Sequence, residues 1–165
     1  MWKVLGMAFL LGGVAGVLYS WILEQRTRQK RLGEIIVFLQ RTVGIMECEK
    51  IRVTDYLDRQ DSKTLKEIAR RLSTNTYAKG QAVWEEVFKE EEQNLSLDKE
   101  TFQIILQSGE GFFGKSREEN IRFLQKSISE LESKQKEIKI RDAQERKVWI
   151  PVGMLGAVML VIILV

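Results

Sequence analysis

The segment with the clearest chemical signature is 109–116, whose letters GEGFFGKS satisfy the phosphate-binding pattern GxxxxGK[ST]. In that motif backbone N–H groups cradle phosphates, the lysine reaches the β/γ oxygens and the serine holds magnesium. Such a loop must follow a buried parallel strand and open a helix on a sheet. Here the preceding segment 102–106 has helical spacing, no other strand pattern exists, and Phe112 and Phe113 fill a loop that needs backbone access. The match therefore predicts a structural turn, and we expect no cofactor.

The sequence contains few other side chains that could catalyse a reaction or bind a metal ion. The chain has no histidine, which removes the commonest general base near neutral pH and the commonest metal ligand. A single cysteine, Cys48, leaves no usual zinc site and no internal disulfide, and it fits a reducing compartment. The 26 basic and 23 acidic residues are close to balance, without the uniform basic field that nucleic-acid binding requires. We expect a protein that is not an enzyme, holds no metal and binds no nucleic acid.

The glycine segment instead predicts a junction between two helices. Gly109, Gly111 and Gly114 favour a flexible loop that ends one helix. Ser116 and Glu119 have the spacing of a capping box, with Ser116 at the N-cap and Glu119 at N3 of the next helix. These residues are therefore predicted to form a structural loop and cap.

Apolar stripes with a spacing of three and four residues predict that the middle of the chain is all-helical. The stripes lie at 32–46, 77–88, 102–106 and 121–138, with Gln135 interrupting the last one. Polar residues at 73–76 and 94–98 mark breaks, and Ser96 or Asp98 is a candidate N-cap. We expect the stripes to form the core and the helix-packing surfaces of a helical bundle.

Two uncharged apolar runs, at 4–23 and 148–165, bracket this helical region. A membrane-spanning helix needs about 20 mostly apolar residues, with about 17 as the lower limit, so both runs qualify. A cleaved signal peptide is the alternative for the first run, but the run is long and has no small-x-small cleavage site. We predict transmembrane helix 1 at 1–23, a cytoplasmic helical domain at 24–147 and transmembrane helix 2 at 148–165. The long helices of the domain are expected to be continuous with the spans.

Basic residues on the inner flanks of both runs predict the orientation. Arg26, Arg28, Lys30 and Arg31 follow the first run, and six further lysines and arginines lie at 134–147, before the second run. Cytoplasmic flanks of membrane helices are enriched in such residues. Both flanks therefore place the middle domain of a two-pass protein in the cytoplasm.

Small residues recur along the two apolar runs. Side chains of this size allow close packing of helices in lipid. The alternative explanation is that glycine is common in membrane helices. We predict that the small residues dock the two helices on each other or on a partner. They are Ala8, Gly12, Gly16, Ser20, Gly153 and Ala157.

The order and spacing of several segments resemble the stage III sporulation protein AB family of endospore-forming bacteria. A Gly-rich first run is followed by RLGEI at 31–35, VWEEV at 83–87 and LSLDKE at 95–100, and then by the glycine loop, a charged helix and a terminal apolar run. FGKS at 113–116 stands where the family has a Leu-Gly pair and a short polar cap. The chain departs from the family in having no proline near 45–53 and Asn120 where Gln is common.

The resemblance implies a non-enzymatic platform subunit of the secretion-like channel between mother cell and forespore. The family is similar to the cytoplasmic helical domains of type II secretion and type IV pilus platform proteins, which sit beside a hexameric ATPase. The implied partners are the bilayer, the ATPase stage III sporulation protein AA and other membrane subunits of the channel. The implied location is the outer forespore membrane, facing the mother cell. The alternative is a membrane-tethered coiled-coil scaffold with its seam at 121–138, which Gln135 and the short run disfavour.

Overall fold

The described part of the chain is all-helical. In a computed structural model, residues 2–48, 56–57, 59, 62–74, 80–113 and 116–164 are described, without the side chains of 2–5, 7–11, 48, 163 and 164. These residues form α-helices and contain no β-strand, which confirms the predicted fold class. In chain order the helices are α1 (Trp2–Cys48), α2 (Lys63–Thr74), α3 (Gly80–Glu90), α4 (Glu92–Leu95), α5 (Lys99–Ser108), α6 (Glu110–Phe113) and α7 (Arg117–Leu164).

Helices α1 and α7 are far longer than the others, with 47 and 48 residues. Each is a single uninterrupted helix, although Pro151 lies inside α7, and the predicted continuity with membrane spans stays a prediction. The chain divides into two compact units, a terminal unit of Met1–Lys30 with Lys136–Val165 and a central unit of Arg31–Gln135. The predicted domain borders at 23/24 and 147/148 differ from these and stay a prediction.

The predicted membrane spans receive no support from the helices that can be described. No helix among the described residues has both the length and the apolar character needed to cross a membrane. Both predicted spans, at 4–23 and 148–165, extend into residues or side chains outside the described set. Their transmembrane character therefore stays a prediction.

Trp84 lies at the centre of the core of the central unit. Its side chain has no exposed surface, and its indole N–H donates a hydrogen bond to the carbonyl of Ile105 at 2.9 Å. The ring of Phe112 stacks on Trp84 with centroids 4.9 Å apart, and the ring of Phe38 stacks on Phe112 at 5.8 Å. We call the whole group the aromatic cluster: Phe38, Tyr56, Trp84, Phe88, Phe112 and Phe113. It connects α1, α3 and α6.

The predicted stripes supply most of the remaining core. Fully buried members come from the first, third and fourth stripes: Leu32, Leu39, Ile105, Leu124 and Leu131. Ile35, Met46 and Ile121 lie at the edge of the core and are half-buried, while Tyr77 is outside the described residues. The prediction missed α2, which buries a further apolar stripe: Leu65, Ile68, Ala69 and Leu72.

Asp98 begins helix α5 as its N-cap. Its carboxylate accepts hydrogen bonds from the backbone N–H of Thr101 at 3.1 Å and from the Thr101 hydroxyl at 2.8 Å. Burial raises the pKa of Asp98, but the hydrogen bonds from Thr101 outweigh it and hold the pKa below its usual value. Ser96, the other candidate, instead ends α4 in the left-handed conformation, with φ 51°.

The prediction of a flexible loop at 109–114 is wrong for residues 109–113, the part that the structure describes. Gly109 has a helical φ of −56°, and helix α6 follows directly. Gly109 and Gly111 are both buried, and a Cβ atom on Gly109 would lie 2.6 Å from Cδ1 of Trp84. A Cβ atom on Gly111 would lie 2.6 Å from Cγ of Leu124. The two glycines therefore provide room for close packing against α3 and α7.

Replacing Gly111 with Ala should destabilise the protein, because the added methyl group has no space beside Leu124. We expect the free energy of unfolding of the full chain to fall by about 1–3 kcal/mol, measured by urea titration with far-UV circular dichroism. Gly44→Ala is the matched control, since Gly44 is an exposed position of α1 with no described atom within 4 Å of a Cβ atom. Ala should stabilise that position by about 0.5–1 kcal/mol. Equal shifts in the two variants would contradict the packing role of Gly111.

Candidate functional site

A buried carboxylate joins α1 to α7 in the terminal unit. The side chain of Asp142 is only 1% exposed. Its Oδ1 accepts a hydrogen bond from Nη2 of Arg28 at 2.8 Å, and its Oδ2 accepts one from Nε2 of Gln29 at 2.6 Å. Both oxygens of the carboxylate are therefore paired across the two helices, as a buried charge requires.

A second polar group lies one helical turn further along the same pair of helices. The buried Gln25 accepts a hydrogen bond from Nε of Arg146 at 2.8 Å and donates one to Oε2 of Glu145 at 3.4 Å. Together the two groups form what we call the helix clamp: Gln25, Arg28, Gln29, Asp142, Glu145 and Arg146. The contacts pair rising numbers in α1 with falling numbers in α7, so the two helices are antiparallel here.

Large apolar side chains lie exposed on α1 and α7 beyond the helix clamp. Their exposed fractions run from 47% at Leu160 to 71% at Val17. A contiguous apolar surface of this kind is unusual on a monomeric soluble protein and marks a place that contacts something apolar. The exposed set is Val17, Tyr19, Leu23, Val148, Trp149, Val152, Met154, Leu155, Val158, Met159, Leu160 and Ile162.

The small residues of the two apolar runs fall into different environments. On α7, Ala157 is buried, and a Cβ atom on Gly153 would lie 3.2 Å from Cδ1 of Leu18. On α1, Gly12 and Gly16 are exposed, and no described atom lies within 4 Å of a Cβ atom at either position. Ser20 is also exposed, and the side chain of Ala8 is outside the described set. The structure thus places Gly153, but not Gly12 or Gly16, against a described neighbour.

Residues 109–113 and 116, the described part of the phosphate-binding pattern, do not have the geometry of a phosphate-binding loop. Helix α5, not a strand, precedes it, and the N–H of Phe112 donates to the carbonyl of Gly109 at 3.0 Å. Gly114 and Lys115 lie outside the described residues. Ser116 accepts a hydrogen bond from the backbone N–H of Glu119 at 3.2 Å, which is the N-cap contact of α7. The pattern therefore joins two helices. Among the described residues no cluster of acidic or cysteine side chains could hold a metal ion.

A network of ion pairs connects α2 and α3 in the central unit. Arg71 bonds Oε1 of Glu67 at 2.7 Å and Oε2 of Glu90 at 2.8 Å. Hydrogen bonds from Arg70 and then Arg71 lower the pKa of Glu67 to about 2. The sequence prediction missed this surface because it missed α2. The carboxylates and guanidinium groups of the network pair with one another. Such a network is more typical of a surface exposed to solvent or to a protein partner than of a site for acid–base chemistry.

A cavity of about 390 Å³ lies beside α1 in the central unit. Apolar side chains form part of its wall, with Ile35, Phe38 and Leu65 among them, while Arg31 and Glu34 place both signs of charge around it. The prediction assigned no role to this place. Side chains of both charge signs therefore line the cavity.

The architecture is that of an all-helical protein built on two long helices, with apolar surface near the chain ends and paired polar groups elsewhere. The family model described as Stage III sporulation protein AB (spore_III_AB) matches residues 3–165. The chain therefore belongs to the stage III sporulation protein AB family, which confirms the resemblance noted from its sequence and implies a protein of sporulation stage III. No curated protein and no solved structure matches the chain.

Removing the buried carboxylate of the helix clamp should cost much more stability than removing an exposed one. Asp142→Ala leaves Arg28 without its partner, and we expect the free energy of unfolding to fall by about 3 kcal/mol or more. The control Glu130→Ala removes an exposed carboxylate that lies 3.8 Å from Lys126 and should change stability by less than about 1 kcal/mol. Denaturant titration of both full-length variants measures the difference. A loss below about 1 kcal/mol for Asp142→Ala would contradict the role given to the clamp.

Proposed function

We propose that this protein is a non-enzymatic membrane platform subunit of the channel complex between mother cell and forespore. In this role it docks a cytoplasmic ATPase to the membrane apparatus. The observation that carries the proposal is the apolar surface on α1 and α7 next to the helix clamp. Membership of the stage III sporulation protein AB family supplies the sporulation context.

The chemistry of the terminal unit supports the proposed membrane attachment. The exposed side chains between Val148 and Ile162 are almost all apolar, and burying them in a hydrocarbon environment is favourable by about 25 cal/mol per Å². The helix clamp holds polar and charged groups of α1 and α7 together just before that surface begins. In the proposed arrangement the protein crosses the membrane twice, at the outer forespore membrane. The residues between the spans then face the cytoplasm of the mother cell.

The central unit is the proposed docking body for the ATPase. Its apolar stripes and aromatic cluster are used for packing, and its ion-paired face on α2 and α3 is accessible, with Arg70 68% exposed. The assignment of the partner, stage III sporulation protein AA, rests on the similarity of the family to secretion platform proteins, which is an argument by analogy. Transmission of ATPase motion through α1 and α7 is the proposed mechanism.

The coiled-coil scaffold is the weaker alternative. Its seam would consist of the apolar side chains of α7 between Ile121 and Ile138. Leu124 and Leu131 have no exposed surface, and Ile138 is 3% exposed within a single chain. A side chain already buried in its own chain has no area left to bury against a second copy.

Co-purification tests the ATPase partnership. We expect the full-length protein, extracted from membranes in mild detergent, to retain the candidate ATPase in a defined ratio after affinity capture. Membranes that contain the ATPase without this protein are the control, because they report non-specific retention. Recovery of the ATPase at the control level would contradict the docking role, while the membrane fraction of the protein would still report on attachment.

Bulky residues at Gly12 and Gly16 should disturb assembly without disturbing the chain itself. Both positions are exposed and no described atom lies within 4 Å of a Cβ atom at either one, so Gly12→Leu/Gly16→Leu is expected to fit the single chain but to block close approach of a partner helix. Recovery of channel-complex subunits with the double variant should fall at least about fivefold. Gly156→Leu is the control, since Gly156 is also exposed and open but lies outside the small-residue stripe. Unchanged recovery with the double variant would argue against docking.

A further inference from the structure

We propose that the terminal unit carries a binding surface for anionic phospholipid headgroups. The surface is formed by two exposed basic side chains, Arg26 on α1 and Lys147 on α7, which we call the basic collar. The inference rests on the proposed membrane role and adds the chemistry of the lipid that the protein selects.

The helix clamp determines which charged side chains of this region are buried between α1 and α7 and which are exposed. It takes the carboxylate of Asp142 out of solvent and neutralises it with Arg28. It also engages Glu145 through Gln25. The exposed charged residues on the flanks are mainly basic, with Glu24 and Glu137 as the acidic exceptions, and one of the basic residues, Arg141, lies 3.9 Å from Glu145. The outer surface of the pair therefore presents an excess of positive charge.

Hydrogen bonds place the collar at one level along the two helices. Because Gln25 bonds Arg146, their neighbours Arg26 and Lys147 lie opposite one another on α1 and α7. Long basic side chains can extend to the headgroups while their methylene stems cover apolar surface. The collar thus meets the depth where phosphates would lie if the adjacent apolar side chains enter a bilayer.

The position of Trp149 supports the same depth. Trp149 is 57% exposed and lies two residues beyond Lys147. Exposed Trp and Tyr side chains are typical of the membrane–water interface, where an apolar ring and a polar group are both accommodated. A basic residue near an anionic lipid surface contributes about 1 kcal/mol, which corresponds to about a fivefold preference. The geometry points to phosphatidylglycerol-type lipids over zwitterionic ones.

Lipid selectivity of the full-length protein tests the inference. The protein is reconstituted in phosphatidylcholine bilayers that contain trace spin-labelled phosphatidylglycerol or spin-labelled phosphatidylcholine. Electron paramagnetic resonance then gives the fraction of each label whose motion the protein restricts. We expect association at least about fivefold stronger for phosphatidylglycerol, and a ratio near one for Arg26→Gln/Lys147→Gln. Arg122→Gln/Lys126→Gln is the charge-matched control, since both residues are exposed on α7 in the central unit, and it should keep the wild-type ratio.

Salt provides a second measurement that needs no variant. At 1 M salt the screening length is about 3 Å, so the wild-type preference should fall towards one. Equal restriction of both labels by the wild-type protein at low salt would overturn the basic collar while leaving the membrane role intact. A preference for phosphatidylglycerol that persists both after the collar substitutions and at 1 M salt would also contradict the basic collar. Restriction of neither label would show instead that the proposed membrane role fails.

Discussion

The burial of Trp84 is the interaction on which the central unit depends. The indole ring fits because Gly109 has no side chain, and its N–H is satisfied by the carbonyl of Ile105 in α5. Phe112 covers one side of the ring from α6, and α6 can lie there because Gly111 leaves room for Leu124 of α7. Truncating a buried tryptophan typically costs about 3–5 kcal/mol. Helices α1, α5 and α6 thus contact the side chain of Trp84 in α3.

The sequence predicts most helices from apolar residues that recur at three and four positions. Helix α2 carries the same signal at Leu65, Ile68, Ala69 and Leu72, so the prediction could have included it although lysine, arginine and glutamate lie between these positions. Asp98 was predictable because an N-cap is a local signal. The glycines at 109 and 111 misled the prediction, since their role depends on Trp84 and Leu124, which are distant in sequence.

The helix clamp illustrates a different limit of sequence reasoning. Basic residues near the apolar runs were used only to predict orientation, and nothing local distinguishes Arg28 from Arg26. The difference arises from the pairing of Arg28 with Asp142, which is 114 residues away. Register between two long antiparallel helices decides which charges face inward. The same register leaves Arg26 and Lys147 exposed. The pairing that stabilises the terminal unit therefore also determines which charges lie on its surface.

Pro151 has a mechanical consequence for α7. Proline has no N–H to donate, so the carbonyl of Lys147 receives no helical hydrogen bond from it, and the ring crowds that carbonyl. The turn between these residues therefore resists bending less than any turn with a full set of bonds. Asp142 is fixed to α1 on one side of this turn, and Met154 to Ile162 lie on the other. The turn before Pro151 is therefore where α7 bends most easily, between the paired charges and the apolar end of the helix.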